Sequence, residues 1–316
     1  VVQSPTVSRR RTAPDGSGIQ AYLRPARDNA AMQLPPPETA LPAEALRVLS
    51  QATRHTTPCG DGTIVWHTWG DARAEPLVLL HGGSGSWTHW IRNVEALAAA
   101  GRRVVVPDLP GFGDSARPPD GQDADSVAPA LADGLRQLLG EAPVDVVGFS
   151  FGGLCGGLMA AAHPERVRRL VLVGAPALGL RDRRLSLTSW RELPDSQAQR
   201  AAHRSNLAAL MLYRPEAIDD LALDLQQANV PRDRMLRRKL AMTDVLARAL
   251  PNFACPVDAI YGAQDALYVG MLDKLEAVLR TGPTFGELVL VPEAGHWVQY
   301  EAAEVFNREL LRLLGR

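Results

Sequence analysis

From Thr56 onward the chain alternates short apolar runs with amphipathic stretches. The runs are Thr63 to Trp69, Leu77 to Leu80, Arg103 to Val106, Val144 to Phe149, Leu170 to Val173, Val257 to Tyr261 and Leu288 to Val291. Several are unbroken Val/Ile/Leu stretches, as expected of strands buried on both faces. Between them, helical spacing is read over Asn93 to Ala100, Ser126 to Leu139, Phe151 to Ala162, Met271 to Arg280 and Ala302 to Leu314. Strands alternating with helices of that length predict an α/β fold, a mostly parallel sheet with helices on both faces. Each turn from a strand end into a helix is then a place where a site can form.

Two stretches break the alternation. Residues 177–248 hold only helical patterns rich in Arg, Leu and Ala, and about 70 structureless residues between two strands would be unusual in a compact domain. The segment therefore reads as a helical cap over the strand ends. Residues 1–41 are rich in Pro, Ser, Arg and Ala, and the run Pro35-Pro36-Pro37 lacks backbone donors and cannot continue a helix. They read as an N-terminal tail or strap, followed by a short helix from Pro42 to about Gln51. The core is left with residues 42–176 and 249–316, and no internal repeat is present.

Composition narrows the class of partner. The chain has 316 residues, 46% of them apolar, enough to fill one large core and a small insertion. With 34 Lys+Arg against 35 Asp+Glu there is no global field to draw it onto nucleic acid or anionic lipid. A small-molecule substrate is expected, with no nucleic acid and no membrane; a homo-oligomer is compatible with the sequence. Cys59, Cys155 and Cys255 are an odd number, far apart, with neither a disulfide framework nor zinc-site spacing. Leu170 to Leu180 contains Gly and Pro and is too short for a span. Arg9 to Arg11 is followed by no apolar signal-peptide core. A cytoplasmic location is expected.

The chemistry is carried by strand ends. Gly148-Phe149-Ser150-Phe151-Gly152-Gly153 follows a buried run and precedes a helix. A strand passing straight into a helix forces its central residue into a strained conformation, and neighbours two positions away must be small. Ser150 is thereby raised as a candidate nucleophile, and the Phe151 N–H at the helix start is a candidate oxyanion donor. By itself the pattern serves equally well as a glycine-rich turn with Ser150 as an N-cap; the remaining motifs decide. The run Leu77 to Leu80 ends in His81-Gly82-Gly83-Ser84-Gly85-Ser86-Trp87, from which Gly83 is expected to supply a second oxyanion N–H. A serine needs a base within reach. His296, in Glu293-Ala294-Gly295-His296-Trp297 after the last run, lies at the same strand end as Ser150 if the sheet is parallel. Asp265, just beyond Tyr261-Gly262, completes the order Ser, Asp, His. Asp258 lies inside its strand and Asp273 on a helix, and the position after the preceding strand, Gly174-Ala175-Pro176, holds no carboxylate. No cofactor or metal pattern is found.

These residues resemble the α/β-hydrolase fold superfamily over about residues 56–176 and 249–316, including Asp108-Leu109-Pro110-Gly111-Phe112-Gly113-Asp114-Ser115, similar to the family's turn after the strand beside the oxyanion loop. The resemblance implies a serine hydrolase. Within the superfamily, Gly295-His296-Trp297-Val298-Gln299-Tyr300-Glu301 followed by Phe306-Asn307 is similar to carbon–carbon hydrolases of aromatic ring-fission products. Those enzymes usually carry Asn where this chain has Phe149, and Gly-Pro where it has Ser84-Gly85. The leading expectation is hydrolysis of a small carboxylic ester through an acyl-enzyme. Its alternatives are carbon–carbon hydrolysis of a ring-fission diketone and, from another class, a non-catalytic ligand-binding protein that keeps the fold. Leu207, Leu210, Met211 and Leu212 read either as pocket lining or as helix packing.

Overall fold

The computed structural model describes residues 41–180 and 185–315. Apart from Leu41, the tail expected over 1–41 lies outside them. The strands are β1 (Thr53–Cys59), β2 (Gly62–Trp69), β3 (Pro76–Leu80), β4 (Arg103–Pro107), β5 (Val144–Phe149), β6 (Val167–Val173), β7 (Val257–Gly262) and β8 (Phe285–Val291). They form one sheet in the order β1-β2-β4-β3-β5-β6-β7-β8, antiparallel at β1–β2 and β2–β4 and parallel from β4 to β8. The helices are α1 (Ala43–Leu49), α2 (Val94–Ala99), α3 (Ala124–Leu139), α4 (Phe151–Ala162), α5 (Ser196–Asn206), α6 (Asp220–Asn229), α7 (Val245–Ala249), α8 (Leu272–Leu279), α9 (Val298–Glu301) and α10 (Ala303–Leu314).

All seven expected strands are present, within a few residues of their expected ends. The additional one, β1, reads Thr-Arg-His-Thr-Thr-Pro-Cys, a polar edge strand with five of seven residues outside the core; it carries no apolar run to betray it. Its pairing with β2 closes on a turn at Gly60-Asp61, since Cys59 faces Gly62.

Alternate residues of the central strands feed two cores. Val78, Leu80, Val105, Val146 and Leu172 point to the layer of α3 and α4, whereas Leu77, Leu79, Val104, Val147 and Val171 point to the layer of α2 and α10. That division follows from the two-residue repeat of a strand and explains why these segments are apolar throughout. Between β6 and β7 no described residue is in a strand; α5, α6, α7 and short turns fill the interval as a helical insertion. No helix among the described residues is long and apolar enough to cross a membrane.

One polar residue interrupts β5. Asp145 is buried, with a side chain 3% exposed, and its carboxylate accepts from Arg168 Nε at 2.9 Å, Arg168 Nη2 at 2.9 Å and Arg102. It sits at the start of β5, five residues from Ser150 at the other end. Removing one partner of a buried pair costs about 3 kcal/mol or more, because the remaining charge loses its partner. Asp145→Ala is therefore expected to lower the free energy of urea unfolding by about 3 kcal/mol while leaving turnover per folded molecule near that of the parent. A loss under 1 kcal/mol would remove Asp145 from the structural account.

Candidate functional site

The parallel part of the sheet delivers its strand ends to one edge, and the expected site residues meet there. Ser150 leaves β5 with φ 50° and ψ −117° and opens α4. A left-handed serine is uncommon, and surrounding packing has to hold it. The two flanking glycines show how. A Cβ on Gly148 would stand 2.6 Å from the Gly152 carbonyl oxygen, and one on Gly152 would stand 2.4 Å from that of Leu80. The turn is thus closed tightly enough to exclude any side chain at either position. The Ser150 N–H donates to Val173 O at 2.7 Å, tying the turn to β6.

Ser150 Oγ lies 2.9 Å from His296 Nε2, and His296 Nδ1 lies 2.8 Å from Asp265 Oδ2. His296 and Asp265 are buried, at 2% and 0% exposure. The other Asp265 oxygen accepts the Leu267 N–H at 2.9 Å, so a rigid turn aims the carboxylate. With a carboxylate on Nδ1, that nitrogen carries the imidazole hydrogen and Nε2 is free to accept from Ser150. Gly174, at φ 55°, has the His296 ring 3.0 Å from where its Cβ would be. The stretch without a carboxylate after β6 is therefore the wall against which the imidazole rests.

The N–H groups of Gly83 and Phe151 make no hydrogen bond among the described residues, and both residues line the same cavity as Ser150 and His296. The peptide that carries the Gly83 N–H is aimed from behind by His81. Leu109 N–H donates to His81 Nε2 at 2.8 Å, which places the ring hydrogen on Nδ1, and Nδ1 donates to Gly82 O at 2.7 Å. The preceding N–H, that of Gly82, donates to His89 Nδ1 at 3.1 Å. Both histidines act as neutral rings. Burial pushes the His81 pKa down to about 4 and that of His89 well below its ordinary value.

The hold of His81 and His89 on this loop depends on contacts that no sequence spacing reveals. The acidic turn after β4 has a similar part. Asp108 accepts the Trp87 N–H at 2.9 Å and the Asp114 N–H at 2.8 Å, so it clamps the far end of the oxyanion loop to its own turn. Glu301 joins the loop of His296 to the insertion by accepting from the N–H groups of Gly295 at 2.7 Å, Arg214 at 2.6 Å and Tyr213 at 3.1 Å. Of the rejected acids, Asp258 is a buried strand residue paired with Arg169 at 3.0 Å. His203, in the insertion, is buried against Trp190 with ring centroids 5.0 Å apart, and its pKa is likewise lowered to about 4 by burial.

The cavity measures about 150 Å³. Phe149, Phe151, Leu210, Met211 and Leu267 form its apolar walls, and among the described residues Arg238 is the one side chain besides His296 that brings a titratable group to it. Leu210 and Met211 are thus lining, whereas Leu207 and Leu212 are buried in the core. Among the described residues no three His, Cys, Asp or Glu side chains are grouped to hold a metal ion.

Residues 75–303 match the family model described as alpha/beta hydrolase fold. The chain is 32% identical, over 81% of its length and 92% of the relative's, to a 2-hydroxy-6-oxononadienedioate/2-hydroxy-6-oxononatrienedioate hydrolase of Paraburkholderia xenovorans. It is 30% identical to the dihydrolipoyllysine-residue acetyltransferase component of the acetoin cleaving system of Pseudomonas putida, covering 81% of this chain and 67% of that one. Among solved structures, a meta-cleavage product hydrolase superposes with a TM-score of 0.64 at 25% identity, over 83% of this chain and 97% of the other.

The three buried neutral histidines make stability depend on pH with a definite sign. Below about pH 6.5 the unfolded chain takes up protons at His81, His89 and His203 that the folded chain refuses until its own, lower pKa values are reached. The stabilisation is complete above pH 6.5 and is lost as the pH falls from there, down to about pH 4 for His81 and His203, each group contributing up to about 1.4 kcal/mol per pH unit. Thermal unfolding should show Tm falling from pH 7 to pH 5, and His203→Gln should flatten that fall. A Tm that is constant over this window would contradict neutral burial of the three rings.

Proposed function

Because this chain belongs to the alpha/beta hydrolase fold family, we propose that it is a serine hydrolase of small carboxylic esters, with Ser150 as nucleophile. The observation that carries the reading is the relay Ser150 Oγ to His296 Nε2 at 2.9 Å and His296 Nδ1 to Asp265 at 2.8 Å, beside two N–H groups without partners among the described residues.

The steps follow from that geometry. As Ser150 Oγ bonds to the ester carbonyl carbon, its proton passes to His296 Nε2, and the buried Asp265 carboxylate stabilises the imidazolium. The carbonyl oxygen takes the electron pair of its π bond and is held by Gly83 N–H and Phe151 N–H, the latter at the start of α4 where the helix dipole favours negative charge. Collapse breaks the carbon–oxygen bond to the leaving group, which receives the proton from His296. A water then repeats the sequence on the acyl-enzyme. The helical insertion acts as a cap in this reading, supplying Leu210 and Met211 to an apolar acyl pocket.

A second reading, carbon–carbon hydrolysis of a ring-fission diketone, is favoured by the relative at 32% identity named as a 2-hydroxy-6-oxononadienedioate/2-hydroxy-6-oxononatrienedioate hydrolase and by the likeness to a meta-cleavage product hydrolase. It requires polar groups that hold a ketonised dienolate before Ser150 attacks. The residue before the nucleophile is Phe149, whose ring packs 5.0 Å from that of His296 and 5.4 Å from that of His89 and offers no donor. The His89 Nδ1 on that side is already taken by the Gly82 N–H. These contacts support ester cleavage over the alternative.

Two measurements test the proposal. Ser150→Ala and Asp265→Asn are each expected to lower kcat by a factor of about 10⁴ or more in protein of unchanged circular dichroism, and a phosphonate should label Ser150 alone. Short-chain aryl esters and a ring-fission diketone should then be compared by kcat/KM, with the esters faster. Diketone turnover a hundredfold faster, about 2.7 kcal/mol of transition-state stabilisation, would replace the first reading by the second; absence of both activities and of labelling would leave a ligand-binding protein.

A further inference from the structure

Ser84 follows the oxyanion donor Gly83 and has φ 54°, the left-handed region that a residue with a Cβ seldom occupies without help. The help comes from the insertion between β6 and β7. Ser84 Oγ donates to Asp233 Oδ2 at 2.6 Å across 149 positions of sequence. The Asp233 side chain is 1% exposed, and its two oxygens are otherwise engaged by Met235 N–H at 2.9 Å and Arg238 Nη1 at 2.7 Å. The Arg238 guanidinium lies over Gly83, its Cζ 3.3 Å from where a Cβ would stand, and 5.2 and 5.5 Å from the ring centroids of Phe112 and Phe151.

Asp233 is itself firmly placed. The flanking residues Arg232 and Arg234 are anchored on the turn after β4: Arg232 pairs with Asp114, Arg234 N–H donates to Gly111 O at 2.9 Å, and Arg234 Nη1 donates to Gly113 O at 3.1 Å. The insertion therefore reaches back onto the core at a loop residue whose backbone is strained. His81 holds the carbonyl of the Gly82–Gly83 peptide; Asp233 holds the side chain of the residue that follows, Ser84.

We propose that Asp233 is a positioning residue for the oxyanion hole: by tying Ser84 Oγ it keeps Ser84 left-handed and so keeps the Gly83 N–H aimed at the reacting carbonyl oxygen. Catalytic competence then depends on the insertion being docked, and an open insertion leaves an intact Ser150–His296–Asp265 relay with one oxyanion donor. The inference rests on the serine-hydrolase reading above.

The substitutions that test it differ in one atom group. Ser84→Ala removes the hydroxyl and keeps the Cβ that makes φ 54° costly; Ser84→Gly removes both, and glycine adopts that φ unaided. The readout is the second-order rate constant for labelling of Ser150 by an alkyl 4-nitrophenyl phosphonate, whose charge develops in the same hole, together with Tm. Removing an oxyanion donor costs about 10²–10³ in rate, and a donor left mobile costs part of that. Ser84→Ala is expected to be labelled at least about tenfold more slowly than the parent, with Tm within a few degrees, and Ser84→Gly to recover most of that loss. Asp233→Ala should slow labelling of the parent by a factor at least as large, and by much less in the Ser84→Gly background. Parent-like labelling of Ser84→Ala, or equal impairment of Ser84→Ala and Ser84→Gly, would overturn the proposal. A parent protein that no phosphonate labels would instead overturn the serine-hydrolase reading.

Discussion

The arrangement depends on one tight turn. Ser150 can stand at φ 50° between β5 and α4 only because Gly148 and Gly152 bring the two elements into contact, with room for no Cβ at either place. That closeness sets the height of Oγ above the sheet, the start of α4 and the direction of the Phe151 N–H together. The other members of the hydrogen-bonded relay come from neighbouring parallel strands, Asp265 after β7 and His296 after β8, and the register of those strands brings them to 2.8 and 2.9 Å. A parallel sheet is what permits this, since it delivers successive strand ends to the same edge.

Around that turn the protein uses buried neutral histidines as fixed struts. His81 and His89 each accept a backbone N–H and thereby have their tautomers decided, and together they hold both polar groups of Gly82. Burial keeps both rings uncharged near neutrality. Among the described residues the cation that lines the cavity is Arg238, and its charge is met by Asp233 at 2.7 Å. The electrostatics of the cavity thus come from oriented backbone dipoles with a compensated ion pair beside them, an arrangement suited to a charge that exists only in the transition state.

The insertion is bound to the core at both sides of the cavity. Glu301 and the Trp297 N–H, which donates to Met211 O at 2.7 Å, join it to the loop of His296. Asp233 joins it to the oxyanion loop. The loops that carry His296 and Gly83 are therefore both in contact with the insertion that lines the cavity, which on the proposed reading gives a physical route by which pocket shape and chemistry are linked.

The sequence by itself determined the strand and helix order, because fully buried strands must be apolar on both faces and amphipathic helices must not be. It also placed Ser150, Asp265 and His296 at strand ends, because a G-x-S-x-G turn between a buried run and a helix has few other structural meanings. The polar edge strand β1 escaped that logic: its stability comes from pairing with β2, which alternation does not encode. The roles of His81, His89, Asp108, Glu301 and Asp233 escaped it too, for a related reason. Each acts through a hydrogen bond to a backbone or hydroxyl group brought close by folding, and the Ser84–Asp233 bond spans 149 positions. Residue type and spacing along a strand or helix report which face a side chain takes; only the tertiary structure decides which orphaned N–H or strained turn it meets there.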